Sequence, residues 1–314
     1  MTNARKEISI IGLGKMGAGI ARRLLEKGWT VHGYDANAAA MQELAKEGLK
    51  TADSPPALIA QLPTPRLLWL MIPARGKSES DPRPVDELLF GKDNISALLE
   101  KSDVVIDGGN SYYKEGIERG KKLGGLGVSF IDVGFSGGPS GARNGGCLMV
   151  GGDTAAFRAN EQLFRDLSVE GGYQFFEGAG AGHFVKMVHN GIEYGMMQSI
   201  GEGFAILKAS EYKLDLARVA DVYNHKSVIE SRLVGWLGNA FEEYGQDLDA
   251  VSGTVGHSGE GEWTAKTAKE LGVEAKVIEE SFQFRVRSAE SPSFIGKVVS
   301  ALRGQFGGHS VGGK

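Results

Sequence analysis

In the first part of the chain short apolar runs recur, most of them closed by glycine, aspartate or proline: EISIIGLG (7–14), TVHGYD (30–35), LLWLMIP (67–73), DVVIDGG (103–109) and SFIDVGF (129–135). Stretches with apolar positions at helical spacing separate them. That rhythm predicts a parallel sheet whose strands are joined by crossover helices. ARGKSESDPRPVD (74–86), dense in charge and proline, interrupts it and predicts an exposed loop. Beyond residue 180 the period becomes helical, through KMVHNGIEYGMMQSIGEGFAILKASE (186–211), LARVADVYN (216–224), IESRLVGWLGNAFEEY (229–244) and EWTAKTAKELG (262–272). The pattern therefore predicts an α/β domain over 1–178 and an all-α domain over 179–314. The glycine-rich tail RGQFGGHSVGGK (303–314) is expected to project from the body or to be held by a partner.

Composition narrows the chemistry. A length of 314 residues and 41% hydrophobic content suit two domains with proper cores. Lysine and arginine number 35 against 39 acids, so nothing marks the whole surface for nucleic acid or an anionic membrane, and an anionic ligand needs local cations. The single cysteine, Cys147, excludes an internal disulfide framework and fits a reducing compartment; its glycine and leucine neighbours supply no activating base, which makes it a packing residue. The start MTNARKEISIIGLG has no sustained apolar segment, and no later run is long enough to span a bilayer, so the expectation is a soluble, cytoplasmic protein. The histidines, at 32, 183, 189, 225, 257 and 309, form no metal-binding helical pair, and the chemistry is expected to do without a tightly held metal.

GLGKMG places Gly12, Gly14 and Gly17 in G-x-G-x-x-G spacing between the first strand and the helix AGIARRLLEKG. The spacing serves a tight turn, an approach for a pyrophosphate free of side chains, and close helix packing, with the helix N-terminus facing the anion. Asp35 ends the second strand, where an acid grips a ribose diol. The domain is thus read as Rossmann-type and dinucleotide-binding. The Asp35 carboxylate would repel a 2′-phosphate, which favours NAD while leaving NADP possible. Later strand ends carry Asn110 and Ser111, then Ser136, Gly137 and Gly138, whose backbone N–H groups suit an anion-binding nest.

The stretch GHFVKMVHNGIEYG (182–195) sets polar residues into an apolar run. On a helical wheel Lys186, Asn190 and Glu193 share one face, flanked by His189 and Tyr194. Phe184, Val185, Val188, Gly191, Ile192, Gly195 and Met196 occupy the rest, so the helix is expected to be buried around most of its circumference. Gly191 and Gly195 would admit another backbone or the nicotinamide. A buried lysine beside a cofactor is a plausible base for an alcohol proton as hydride leaves, and Glu193 is then the acid candidate.

With these residues assembled, the chain resembles the decarboxylating 6-phosphogluconate dehydrogenases in their short, single-repeat form. The strings that carry the likeness are GLGKMG, DGGNSYY, SGGPSGAR, GAGHFVKMVHNGIEYG, GEGEWTA and RGQFGGH. The resemblance implies oxidation and decarboxylation of 6-phosphogluconate to ribulose 5-phosphate, a step of the pentose phosphate pathway, with Lys186 as general base and Glu193 as the later acid. It implies that Asn110, Ser136, Gly137, Gly138, His189, Asn190 and Tyr194 hold the substrate. Leu13, Lys15 and Met16 of the glycine motif, Met71, Ile72 and Pro73 of the loop after LLWLMIP, and Asn110 would face the cofactor. Arg285, Arg303 and His309 would bind the phosphate, and a homodimer or homotetramer is expected. The chain departs from the family pattern at Ser258 and Glu260, where many members carry lysine and threonine; Ser258 retains a hydroxyl, but Glu260 would disfavour a phosphate beside it. Asp35, Ala36 and Asn37 stand where members using NADP carry Asn-Arg-Thr. The wider β-hydroxyacid dehydrogenases share the glycine motif and the Lys-x-x-x-Asn pair, so oxidation of a small 3-hydroxy acid without loss of carbon dioxide is the alternative. A non-catalytic nucleotide sensor is a third reading, which Lys186, Asn190 and Glu193 together oppose.

Overall fold

The computed structural model describes residues 5–76, 81–92, 94–308 and 310–312. It divides into two compact units, Met1–Lys186 and Met187–Lys314.

The first unit is built on one eight-stranded sheet: β1 (Glu7–Ile11), β2 (Thr30–Tyr34), β3 (Lys50–Thr51), β4 (Leu67–Leu70), β5 (Val104–Asp107), β6 (Ser129–Ser136), β7 (Gly146–Gly152) and β8 (Ser168–Glu177), in the order β3-β2-β1-β4-β5-β6-β7-β8. The five expected apolar runs are β1, β2, β4, β5 and β6, all parallel, and β4 and β5 are buried at every position. The sheet is nevertheless mixed, because β7 returns antiparallel to β6 before β8 pairs parallel to β7. These last strands were not expected. β7 is bracketed by glycines, and β8 is a partly exposed edge carrying Gly171 and Gly172, so neither shows the uninterrupted apolar run that a doubly covered strand needs.

Helices cover both faces and generate two apolar layers. One gathers Ile8, Ile10, Ile20, Leu24, Trp69, Ile106 and Phe164; the other gathers Leu58, Leu68, Leu70, Val85, Leu89, Val105 and Leu123. Helix starts follow local chemistry: the Asn37, Ser54 and Asp153 side chains each accept from a first-turn N–H. The expected loop over 74–86 is shorter than read, since Pro84 opens the helix Pro84–Phe90, where proline's fixed φ and missing donor suit the first turn.

The second unit is helical throughout. The long helix Ala181–Ala209 runs into it, followed by Leu216–Tyr223, Arg232–Tyr244, Glu260–Glu270, Lys276–Arg287 and Phe294–Gly307. Met197, Phe204, Leu237, Phe241, Val298 and Leu302 form its core. Two expectations change here. The first five residues of the glycine-rich tail complete the last helix, and the Val311 carbonyl accepts from the Ser252 N–H at 2.6 Å, so this segment is tied to its own unit. The long helix is not buried all round, because Ile192 and Met196 are 53% and 43% exposed. No described helix is long and apolar enough to cross a membrane.

Candidate active site

The three glycines of the first turn have three different surroundings. Gly12 has φ +99°, and a Cβ there would stand 2.3 Å from the Met71 carbonyl oxygen. A Cβ on Gly17 would fall 1.9 Å from the Gly12 carbonyl oxygen, so that glycine lets the helix pack on the strand. At Gly14 nothing lies within 4 Å: this is the open side of the turn, at the uncapped start of the helix Lys15–Glu26. First-turn N–H groups beside an open glycine fit a pyrophosphate. A cleft of about 810 Å³ opens there, lined by Gly12, Gly14, Lys15, Met16, Gly17, Asp35, Met71, Ile72, Pro73 and Asn110, as expected, and also by Tyr34, Ala36, Pro55, Pro84, Glu87 and Leu88. Leu13 is corrected. Its side chain is 2% exposed in the core, and its N–H donates to Asp35 Oδ2 at 2.6 Å, so it shapes the turn without lining the cleft. Asp35 Oδ1 accepts from the Asn37 N–H at 2.7 Å, which holds the carboxylate at the mouth of the cleft.

Two fully buried carboxylates, Asp107 and Asp132, face one another in the register of β5 and β6. Each organises a different segment. Asp107 accepts from the Gly109 N–H at 3.1 Å, from Ser111 Oγ at 2.9 Å and from Arg119 Nη1 at 2.9 Å, which fixes the turn that presents Asn110. Ser111 is therefore a staple of the turn. Arg119, 1% exposed, also donates to Asp86 and Glu115. Asp132 caps the long helix instead, accepting from the Gly180 N–H at 2.6 Å and the His183 N–H at 2.7 Å. Burial raises the Asp132 carboxyl above the ordinary aspartate range, while His183 and the two N–H donors act the other way. His183 Nε2 donates to the Gly109 carbonyl oxygen at 3.1 Å, linking the capped helix to the Asn110 turn.

The cap seats Lys186, which is 9% exposed. A Cβ on Gly134 would stand 2.2 Å from Lys186 Cβ, so the strand carries the lysine stem on a glycine two residues before Ser136. Gly151 and Gly182 make the same kind of approach, and a Cβ added to Gly151 would stand 2.3 Å from the Gly182 nitrogen. Ser136 ends β6, and Gly137 and Gly138 follow with φ of +120° and +59°. The first unit thus brings Lys186, Asn110 and the Ser136 turn to the carboxyl ends of neighbouring strands.

The remaining predicted residues that are described belong to the second unit. His189 Nδ1 lies 2.9 Å from Asn190 Oδ1 and 3.9 Å from Glu193 Oε2. Asn190 Nδ2 donates to Glu260 Oε1 at 3.3 Å. Tyr194, 5% exposed, packs against the Gly261 backbone, and the Arg285 guanidinium lies 3.3 Å above its ring. Burial lowers Arg285 to about 10 and also lowers Arg303, whereas it raises the Tyr194 hydroxyl. Ser258 is exposed, its N–H directed to the Tyr194 oxygen. His309 lies outside the described residues. Gly191 and Gly195 admit the Thr264 and Val277 side chains rather than another backbone. Asp107, Asp132 and Arg119 were missed. A carboxylate inside an otherwise apolar strand run was the available signal, since burial of such a group demands partners.

The NAD-binding domain of 6-phosphogluconate dehydrogenase matches residues 7–174, and the C-terminal domain of the same enzyme matches 182–307. A Bacillus subtilis protein provisionally named 6-phosphogluconate dehydrogenase YqeC is 45% identical over 97% of this chain and 99% of its own. The NAD(+)-dependent, decarboxylating 6-phosphogluconate dehydrogenase of Haloferax volcanii is 37% identical over 98% of this chain and 99% of its own. Among solved structures, Plasmodium falciparum 6-phosphogluconate dehydrogenase superposes with a TM-score of 0.79 at 26% identity, covering 94% of this chain and 70% of that one. A Mycobacterium tuberculosis 3-hydroxyisobutyrate dehydrogenase shares the fold, with a TM-score of 0.73 at 19% identity, over 95% of this chain and 99% of that one. The domain that carries the cleft at Gly14 is accordingly an NAD-binding domain. Matched in both domains, and by relatives that run its whole length, the chain belongs to the 6-phosphogluconate dehydrogenase family.

Proposed function

We propose that this enzyme oxidises and decarboxylates 6-phosphogluconate to ribulose 5-phosphate and carbon dioxide, with NAD as the preferred oxidant. The observation that carries the reading is the seating of Lys186: a buried amine, fixed by Gly134 and by the Asp132 cap, at the strand ends that carry Asn110 and Ser136. The residues that line the cleft would hold a nicotinamide dinucleotide, which would supply the acceptor for the hydride. Lys186 takes the proton of the carbon-3 hydroxyl as the C3–H bonding pair departs, leaving a 3-keto acid. The carboxylate is then β to a carbonyl, so the C1–C2 bond breaks, carbon dioxide leaves, and its electron pair passes into an enediol whose oxygen the lysine cation stabilises. Glu193, seven residues and about 10 Å further along the same helix, delivers the proton that completes the product.

NAD preference is supported by Asp35 at the cleft mouth and by Ala36 beside it, which offers a 2′-phosphate no cation. The Haloferax relative is NAD(+)-dependent by name. A second reading, oxidation of a small 3-hydroxy acid without decarboxylation, is favoured by Glu260 standing in the phosphate cluster and by the fold shared with 3-hydroxyisobutyrate dehydrogenases. We further propose a homo-oligomer. Ile192, Met196, Ile206, Ile229 and Val277 are exposed around an apolar groove of about 870 Å³, and patches of that kind mark interfaces. The test is a steady-state assay of 6-phosphogluconate with each nucleotide, trapping the released gas. Equal yields of NADH and carbon dioxide are expected, with NAD used more efficiently than NADP; NADH accompanied by a stable keto product would establish the second reading instead.

A further inference from the structure

Among the described residues of the second unit, two buried side-chain polar atoms have no hydrogen-bond partner: Arg285 Nη2 and Glu260 Oε2. Their residues are 3% and 4% exposed, so water does not satisfy these atoms cheaply. Both flank one side chain. Arg285 lies on the face of the Tyr194 ring, and Gly261, the residue after Glu260, packs against its edge. The residues around Tyr194 therefore supply an orphan donor and an orphan acceptor, and a ligand group that satisfies both must accept at one atom and donate at another.

The charges point the same way. Glu260 sits at the start of the helix Glu260–Glu270; Asn190, Glu193 and Tyr194 face the cluster from the long helix, Arg285 from Lys276–Arg287, Arg303 from Phe294–Gly307, and Ser258 from the preceding loop. Two arginines are thus offset by two glutamates. Among the described residues such a site has no surplus cation for a dianion, and a bare oxygen placed on Glu260 would meet like charge.

We propose that Glu260 is a specificity-determining residue that selects the protonation state of the phosphate: the site takes a phosphate ester as its monoanion. The P–OH donates to Glu260 Oε2, and a charged oxygen of the same group accepts from Arg285 Nη2. The inference rests on reading the substrate as a phosphorylated sugar acid, but its test does not need turnover.

Inorganic phosphate and sulfate have the same tetrahedral shape, yet only phosphate keeps a proton at about pH 6. Their binding to the full-length enzyme is measured by the shift in unfolding temperature and by competition with substrate. Phosphate is expected to bind at least about tenfold more tightly than sulfate. In Glu260→Gln and Glu260→Thr, both checked for folding by circular dichroism, the ratio should fall to within about threefold, chiefly through gain of sulfate affinity. Arg285→Met should lose both anions. The wild-type KM for 6-phosphogluconate should rise by up to about tenfold per pH unit above about pH 6, and this rise should be absent in Glu260→Gln. Equal binding of the two anions by the wild type, binding of neither, or selectivity that persists in both Glu260 variants overturns the proposal. Selectivity without 6-phosphogluconate turnover would remove the substrate reading alone; turnover without selectivity would remove this one alone.

Discussion

Lys186 owes its position to residues that need never touch a substrate. Its stem rests on Gly134, and the first turn of its helix hangs from Asp132. The lysine was legible in the chain as a cation inside an apolar helical run; its supports were not, because Asp132 and Gly134 are ordinary members of a strand until the helix is laid across them. Replacing Lys186 with methionine keeps the volume and removes the amine. We expect kcat to fall by about 10³-fold or more, with the dissociation constant for NAD changed by less than about twofold because the nucleotide cleft is lined by other residues. Nucleotide binding by fluorescence and turnover by NADH absorbance separate the two effects; a variant with near-normal kcat removes Lys186 as the base.

At the scale of elements, the long helix meets β6 and β7 through glycines, and the fit is tight enough for a single methyl to test. Gly134→Ala puts a carbon into the Lys186 stem, and overpacking of this kind costs about 1–3 kcal/mol. The expected result is a fall in Tm of a few degrees and a drop in kcat of about tenfold or more, since small displacements of a catalytic group are expensive; unchanged kinetics would mean that the seat does not position the amine. A second inter-element tie sets acid stability. Asp166, from the helix Glu161–Leu167, accepts from Trp29 Nε1 and Gln162 Nε2 at 2.8 Å and from Lys6 Nζ at 3.1 Å. Burial works to raise its carboxyl, but these three donors outweigh it and hold the group below the ordinary aspartate range. A lowered folded-state pKa adds stability above the unfolded value of about 4 and loses it as pH falls through the folded one. Asp166→Asn should therefore be less stable than wild type near neutrality by about 1–2 kcal/mol, and urea titrations at descending pH should show the gap closing below about pH 4. A gap that is constant with pH would contradict the assignment.

For the whole molecule, the exposed apolar stripe of the second unit is the feature that one chain leaves unresolved. Ile192→Glu, with Ile206→Glu as a second variant, is expected to lower the molar mass seen by light scattering to that of a smaller assembly; a wild type that is monomeric at micromolar concentration would sink the homo-oligomer. The same stripe marks a limit of sequence reading. Helical periodicity gave the long helix and its polar face, yet the apolar residues opposite were expected inside, because a pattern reports which side is oily and not what covers it. What the residues determined by themselves was local: the five doubly covered parallel strands, the glycine turn, the acid at Asp35 and the row Lys186, Asn190, Glu193, each set by periodicity or spacing along the backbone. Tertiary structure alone decided the last two strands β7 and β8, the capping of the long helix by Asp132, the hold of Arg119 on the Asn110 turn, and the two unpaired atoms of Glu260 and Arg285. Those features depend on which distant groups share a buried volume, where an unpaired charge or donor is costly, and no short-range pattern carries that information.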